Sequence, residues 1–415
     1  MSLFSALNAS VSGMAAQANK LSTVSDNIAN SNTTGYKQAS TEFQNLVNQT
    51  GTTTYNAGGV GTLVRYNLLQ QGNLAGTTST TDLAIQGNGF FLVQDASGAT
   101  FLTRAGAFTP DAAGNLVNAS GFKLLGYSVD SGSTAADGVT SLEVVNVLSD
   151  GLMATPSTSG TLTANLNSNA SIAAGSLPSA NVAGSIYTSK SSSLVAYDNL
   201  GNAVTLDVYF SKTGVNTWEV SVYNSADAAT GGGFPFSSAA LTTQTMNFSA
   251  ADGSLISPAN LSLAIPNGQT VTLDIAGMTQ LASPFAVSTA TMDGNAPSAV
   301  EGVNVSGDGT LSVVYANGTE RPVYKIPLAT VPSVNSLTPQ AGDVYEANLR
   351  SGSIVVGNPG LAGLGSIQSS KLESSTVDLA TQLTDMIVAQ RSYEANSKVF
   401  QTGSDLLAQL NNMLK

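Results

Sequence analysis

Apolar residues at both ends of the chain recur at every seventh position. Near the C-terminal end Leu379, Met386, Tyr393, Phe400, Leu407 and Leu414 form one column, the spacing of an apolar seam on a helix that packs lengthwise against other helices. Gly403 is the only glycine from Ser374 to Lys415. Ser374, Ser375 or Thr376 can cap this segment, and Asp378 and Asp385 near its start and Lys415 at its end suit the helix dipole. The pattern predicts one long amphipathic helix within 374–415. At the other end Leu7, Met14, Leu21 and Ile28 repeat the period beside Phe4, Val11, Ala18 and Ser25, which predicts a helix within 1–30. A helix of about thirty residues is about 45 Å long, so the two match in length and seam and are expected to pair. Two readings of the pair stand open: a hairpin closing one globular domain, or a polymerisation element. The stripes are thin, about ten sizeable apolar side chains at about 1.5–3 kcal/mol each. Ordering some seventy residues costs about 1–2 kcal/mol apiece in backbone entropy. An isolated pair would be marginal, and neighbours in an assembly could supply the missing burial.

Between the helices the pattern changes. Ala29 to Lys37 is a cluster of Asn, Ser, Thr and Gly that ends a helix and turns the chain. The weakly patterned stretch around Tyr36, Phe43, Leu46 and Val47 and the Thr and Gly run from Thr50 to Gly61 read as an extended connector, so 31–75 and 359–373 are taken as connecting segments. From Thr62 onward apolar runs shorten to strand length between Gly, Asp, Asn and Pro, as in DLAIQGNGFFLVQD and GNLVNASGFKLLGYSVD. These predict an inner β domain over 76–150, and the same style resumes over 296–358. The intervening 151–295 is richer in Ser, Thr and Gly and reads as an inserted outer β domain, with Asp198 to Asn202 as a hairpin turn. The fold class expected is mainly β with α-helical termini. The subunit would be elongated and multidomain, with paired coiled-coil-like terminal helices and nested β domains.

Composition narrows the chemistry. Only 10% of the 415 residues are charged, against about 25% in typical globular chains. The net charge is −12, and the 14 Lys and Arg form no basic cluster, so no nucleic-acid partner is expected. Cys and His are both absent, which removes disulfides, thiolate metal sites and the commonest acid/base catalyst. Gly87-Asn88-Gly89 runs into a strand rather than a helix, and Gly307-Asp308-Gly309 lacks the acids of a calcium loop, so both read as turns. Asp111 and Asp130 are further turn acids, and no spacing selects an acid pair for sugar chemistry. No enzyme activity, cofactor or metal is expected. No apolar run is long enough to cross a membrane, and no Lys or Arg precedes Lys20, unlike a cleaved export signal. Arg391 either faces solvent beside Glu394 or contacts a neighbouring subunit. Gly13 and Gly403 each cost a helix about 1 kcal/mol relative to Ala; close helix approach, a bend or simple tolerance would each account for them.

The terminal segments carry a resemblance. ALNASVSGMAAQANKLSTVSDNIANSNTTGYK resembles the N-terminal motif of bacterial flagellar rod and hook proteins at Leu7, Gly13, Leu21, Asn27, Ile28, Ala29, Asn30, Thr34, Gly35, Tyr36 and Lys37. LESSTVDLATQLTDMIVAQRSYEANSKVF resembles their C-terminal motif at Glu373, Ser375, Val377, Asp378, Met386, Ile387, Gln390, Arg391, Tyr393, Asn396 and Lys398, with Thr376 where Asn is usual. DLAIQGNGFFLV and LTRAGAFTPDAAGNLVNASGFKLLGY are similar to the family's shared β domain, here with Ala105 at a usually acidic or polar position. SLVAYDNLGNAVTLDVYF resembles the outer domain of hook proteins, and both length and insertion favour the hook over the shorter distal rod proteins.

This resemblance implies a structural subunit that polymerises into the curved hollow tube of the hook, a universal joint passing torque from rod to filament. It implies as partners further copies of the chain, the distal rod protein, the hook cap protein, the hook-filament junction protein and the flagellar export apparatus. It also implies an extracellular place in the flagellum, reached without a cleaved signal and without membrane insertion. A distal rod or junction protein is the alternative within the family. A secreted β-rich adhesin is the alternative outside it, and such a protein has no need of paired heptad termini.

Overall fold

Two long helices, α1 (Leu3–Ala29) and α2 (Leu379–Met413), flank an otherwise β-rich chain in the computed structural model, which describes residues 3–46, 58–131, 135–148 and 151–413. The chain divides into two compact units, one comprising Met1–Ser149, Glu301–Val314 and Glu320–Lys415, the other Asp150–Val300 and Tyr315–Thr319.

α2 begins later than the serines before it suggest. Asp378 is its cap, the carboxylate accepting from the amides of Ala380 at 2.9 Å and Thr381 at 3.1 Å. Of the expected caps, the Thr376 hydroxyl accepts from the Gln38 amide at 2.9 Å and the Ser375 hydroxyl from the Val377 amide at 3.3 Å, while the Ser374 amide donates to the Asn73 carbonyl at 2.8 Å. Residues 374–377 stay outside the helix. At the end of α1, Asn30 Nδ2 donates to the Asp26 carbonyl at 2.9 Å, covering one of the last carbonyls of the helix.

Part of the expected connector is regular structure. β1 (Ala39–Asn45) and β2 (Val60–Tyr66) pair antiparallel from Ala39↔Tyr66 to Asn45↔Val60, and residues 47–57 of that stretch lie outside the described residues. The hairpin lies along α1: the Thr23 and Thr41 hydroxyls are 2.7 Å apart, Asn19 Nδ2 donates to Thr62 Oγ1 at 2.8 Å, and the Val60 amide donates to Ser12 Oγ at 3.2 Å. It leans on a polar helix face rather than a core, and Phe43, Leu63 and Val64 remain exposed. Its alternation is therefore weak in the sequence.

Next come β3 (Leu74–Gly76) and β4 (Leu83–Gln86), which pair with Lys371–Glu373 and Ser366–Ser369 from the far end of the chain. β5 (Phe91–Gln94) pairs with β6 (Thr100–Thr103) and with Lys123–Ser128. Two late strands, Glu320–Lys325 and Val344–Glu346, add to Lys123–Ser128 and to β6 respectively. Early and late strands thus share one sheet, over a core that includes Leu68, Phe90, Leu92, Leu102, Leu125, Val331 and Tyr345.

The second unit holds two five-stranded sheets. Their inner faces bury Leu162, Leu206, Phe210, Trp218, Met246, Leu263 and Leu273 in one core. The turn from Asp198 to Asn202 joins Ser189–Tyr197 to Ala203–Gly214, and the Asp198 carboxylate accepts from the amides of Leu200 at 2.9 Å and Asn202 at 2.8 Å.

Candidate functional site

α1 and α2 run antiparallel in contact, but the residues that α2 buries against α1 are small or polar. Gln382 and Ala389 are each 1% exposed, and with Asn396 and Gly403 they form a column every seventh residue along α2. A Cβ on Gly13 would lie 2.9 Å from Asn396 Nδ2, and one on Gly403 would lie 2.7 Å from Leu7 Cδ2. Both glycines are therefore close-approach positions. Lys20 pairs with Asp385 at 3.0 Å on the same line. On α1 the buried residues are Ser5, Ser10, Ala16, Thr23, Val24 and Asn27.

The large heptad residues are less deeply buried. Leu7, Met14, Leu21 and Ile28 on α1 and Met386 and Leu407 on α2 are half-buried. Phe4 and Val11 are exposed, as are Leu379, Tyr393 and Phe400; Leu414 lies outside the described residues. The Tyr393 and Phe400 column does not form the centre of the helix contact, because the column of Gln382, Ala389, Asn396 and Gly403 lets the two axes approach where bulky side chains would hold them apart. Leu383, Ile387, Val388, Val399 and Leu406 are exposed too, so α2 carries apolar residues on several sides and α1 covers one. Gln390 and Arg391 are exposed, and Arg391 makes no ion pair with Glu394 among the described residues.

Asn27 ties the end of α1 to three other residues. Its Nδ2 donates to the Ala39 carbonyl at 2.8 Å and to Gln382 Oε1 at 2.9 Å; its Oδ1 accepts from the Ala39 amide at 2.9 Å and from the Tyr36 hydroxyl at 3.2 Å. One buried carboxamide so uses both donors and both acceptor sites. Burial pushes the Tyr36 hydroxyl up to about 12. Gly35 before it has φ of 75°, and a Cβ there would come within 2.6 Å of the Ala105 amide, which requires glycine on both counts.

Beneath this lies a buried ionic cluster. Glu373 Oε1 accepts from Lys37 Nζ at 2.5 Å and from the Gly72 amide at 2.8 Å, while Oε2 faces Arg104 Nη1 at 3.3 Å. Arg104 Nη2 also donates to the Gly87 carbonyl at 2.8 Å, and the guanidinium stands 5.2 Å from the centre of the Phe90 ring. Loss of solvent around Lys37 and Arg104 pulls both below their ordinary pKa values, against the pull of Glu373 in the other direction. These charges are engaged with one another and with the main chain; what the arrangement does is position segments.

Sequence reasoning does not reach Arg104, Gln382 or the pairing of Lys20 with Asp385, and it marks Lys37 only as a motif position. A weak signal existed, since a Lys or Arg in a chain so poor in charge invites a search for its partner. Nothing local names that partner across hundreds of residues.

Models of flagellar families match most of the chain: the flagella basal body rod protein over residues 7–37, the flagellar hook protein FlgE/F/G D1 domain over 84–163, the flagellar basal body protein FlaE D2 domain over 163–295, and the flagellar basal body rod FlgEFG protein C-terminal region over 368–413. The chain is 46% identical to the flagellar hook protein FlgE of Brucella suis, with 100% of each chain covered. It is also 46% identical to the same protein of Rhizobium meliloti, again over 100% of both. To the Escherichia coli protein it is 31% identical, covering 98% of this chain and 100% of that one.

Proposed function

The chain belongs to the flagellar hook protein family and is a structural subunit of the hook, and from that premise we propose that the apolar residues α1 and α2 turn away from each other are the contacts between subunits. One observation carries this reading: Leu379, Tyr393, Val399, Phe400 and Leu406 stay exposed while the contact within the chain is built from Gln382, Ala389, Asn396 and Gly403. Covering such side chains is worth about 1.5–3 kcal/mol each. Several per subunit offset the cost of ordering helices that are marginal alone. In this reading 1–30 and 374–415 form the inner wall of the tube, with 31–75 and 359–373 joining them to the inner β domain of 76–150 and 296–358. The outer domain of 151–295 is a separate folding unit that makes contacts of its own. Sliding among β domains over a fixed helical wall would let the tube bend while it turns, as a universal joint must.

Further copies of the chain and other flagellar proteins are its partners. Among the latter the distal rod protein, the hook cap protein, the hook-filament junction protein and the export apparatus fit this role, with the assembled subunit outside the cell. No catalysis belongs to this reading. Purified protein brought to polymerising conditions should form tubes visible by negative stain. Limited proteolysis should cut the monomer before about Gly61 and after about Gly363 at α1 and α2, and both helices should be protected in tubes. A monomer protected at both ends that forms no tubes would overturn the proposal.

A further inference from the structure

Lys37 follows α1 and Glu373 precedes α2, and neither segment can satisfy its own charge. The Glu373 side chain is 0% exposed and that of Lys37 1%. Apart from Glu373, Lys37 Nζ has the Gln70 carbonyl at 2.5 Å. The main chain crosses the same junction: the Gly35 amide donates to the Glu373 carbonyl at 2.8 Å, the Thr376 amide to the Tyr36 carbonyl at 3.2 Å, and the Gln38 amide to Thr376 Oγ1 at 2.9 Å.

We propose that this junction is a lock that makes the ordering of the two terminal segments a single event, residues 35–38 and 371–376 settling on the inner β domain together or not at all. Without 35–38, Glu373 keeps Arg104 and one amide but loses its nearest cation and the main-chain bond from Gly35. Without 371–376, Lys37 and Arg104 are left as two buried like charges with no carboxylate between them. Removing one member of a buried ionic set is far more damaging than replacing the whole set by apolar groups. Each segment alone therefore meets a penalty that the other removes. The inference stands on contacts within one chain and does not require the subunit contacts proposed above.

Hydrogen exchange on the full-length protein, followed by peptide mass spectrometry, tests it. Lys37→Met should lower protection in 35–38 and in 371–376 by a common factor, about a hundredfold, while β5, β6 and 123–128 stay protected. Glu373→Gln should do the same from the other side. The triple variant Lys37→Met, Arg104→Met, Glu373→Leu should regain protection in both segments. Thr376→Val, which removes only the acceptor for Gln38, should produce a smaller and again equal loss, and it serves if the buried-charge variants unfold the sheet. Loss confined to the mutated side, loss on neither side, or a wild-type protein with unequal protection in the two segments would each overturn the lock.

Discussion

Replacing Asn27 is the sharpest test of how the helices are seated. The side chain is 1% exposed, and its carboxamide is the partner of both the amide and the carbonyl of Ala39. Asn27→Ala would strand those two main-chain groups, and at about 1–3 kcal/mol for each buried polar group left without a partner the loss is about 2–6 kcal/mol. Gln382 would lose a donor as well, whereas the half-buried Tyr36 hydroxyl can turn toward water. Asn27→Asp separates shape from hydrogen bonding. The aspartate can still accept from the Ala39 amide and Tyr36, but it sets an oxygen against the Ala39 carbonyl and Gln382 Oε1 and buries a charge. It should be at least as damaging as alanine despite its nearly identical outline. The assay is hydrogen exchange of the β1 and α1 amides together with urea unfolding of each variant. An aspartate variant within about 0.5 kcal/mol of wild type, an ordinary surface effect, would refute the assigned role.

Three further outcomes are expected. Phe400 is 38% exposed in the single chain, so Phe400→Asp should barely change the monomer's melting but should raise the critical concentration for tubes or abolish them; a core-like loss of about 3–5 kcal/mol in the monomer with normal tubes would contradict this. Trp218 is fully buried and its Nε1 donates to Gln280 Oε1 at 2.8 Å, so Trp218→Ala should destabilise the second unit by about 3–5 kcal/mol, read by calorimetry as a shift of that unit's transition alone. Burial raises the Asp343 carboxyl above its usual range, so the folded protein holds that proton more tightly than the unfolded chain does, and the residue costs stability above its folded pKa. Asp343→Asn, which also suits the φ of 57° there, should stabilise the protein at about pH 7, and the advantage should shrink as pH falls through the raised pKa; urea midpoints at about pH 7 and about pH 4 check the sign.

Much of the molecule was determined by sequence alone, because the relevant forces act locally. Period-seven columns predict helices at both ends, since a helix repeats its face at nearly that spacing. Short apolar runs between turn residues predict strands, and the Asp198 to Asn202 hairpin follows from side-chain bonds to its own backbone. The motif at Asn27, Gly35, Tyr36, Glu373 and Asp378 pointed to the right family without showing what any of these residues touches.

Tertiary structure decided the rest. Period alone marks Leu379, Tyr393 and Phe400 as one column but cannot say whether a partner in the same chain or another chain covers it, because a helix's own periodicity carries no information about which surface is nearest. The small column of Gln382, Ala389, Asn396 and Gly403 won the contact within the chain by permitting close approach. Likewise the cap is Asp378 rather than Thr376, because the Thr376 hydroxyl is taken by the Gln38 amide from the far end of the chain. Lys37, Arg104 and Glu373 are separated by most of the chain, and only folding brings them within reach; a charge in a sequence reads as solvated until the structure supplies the partner that makes its burial tolerable.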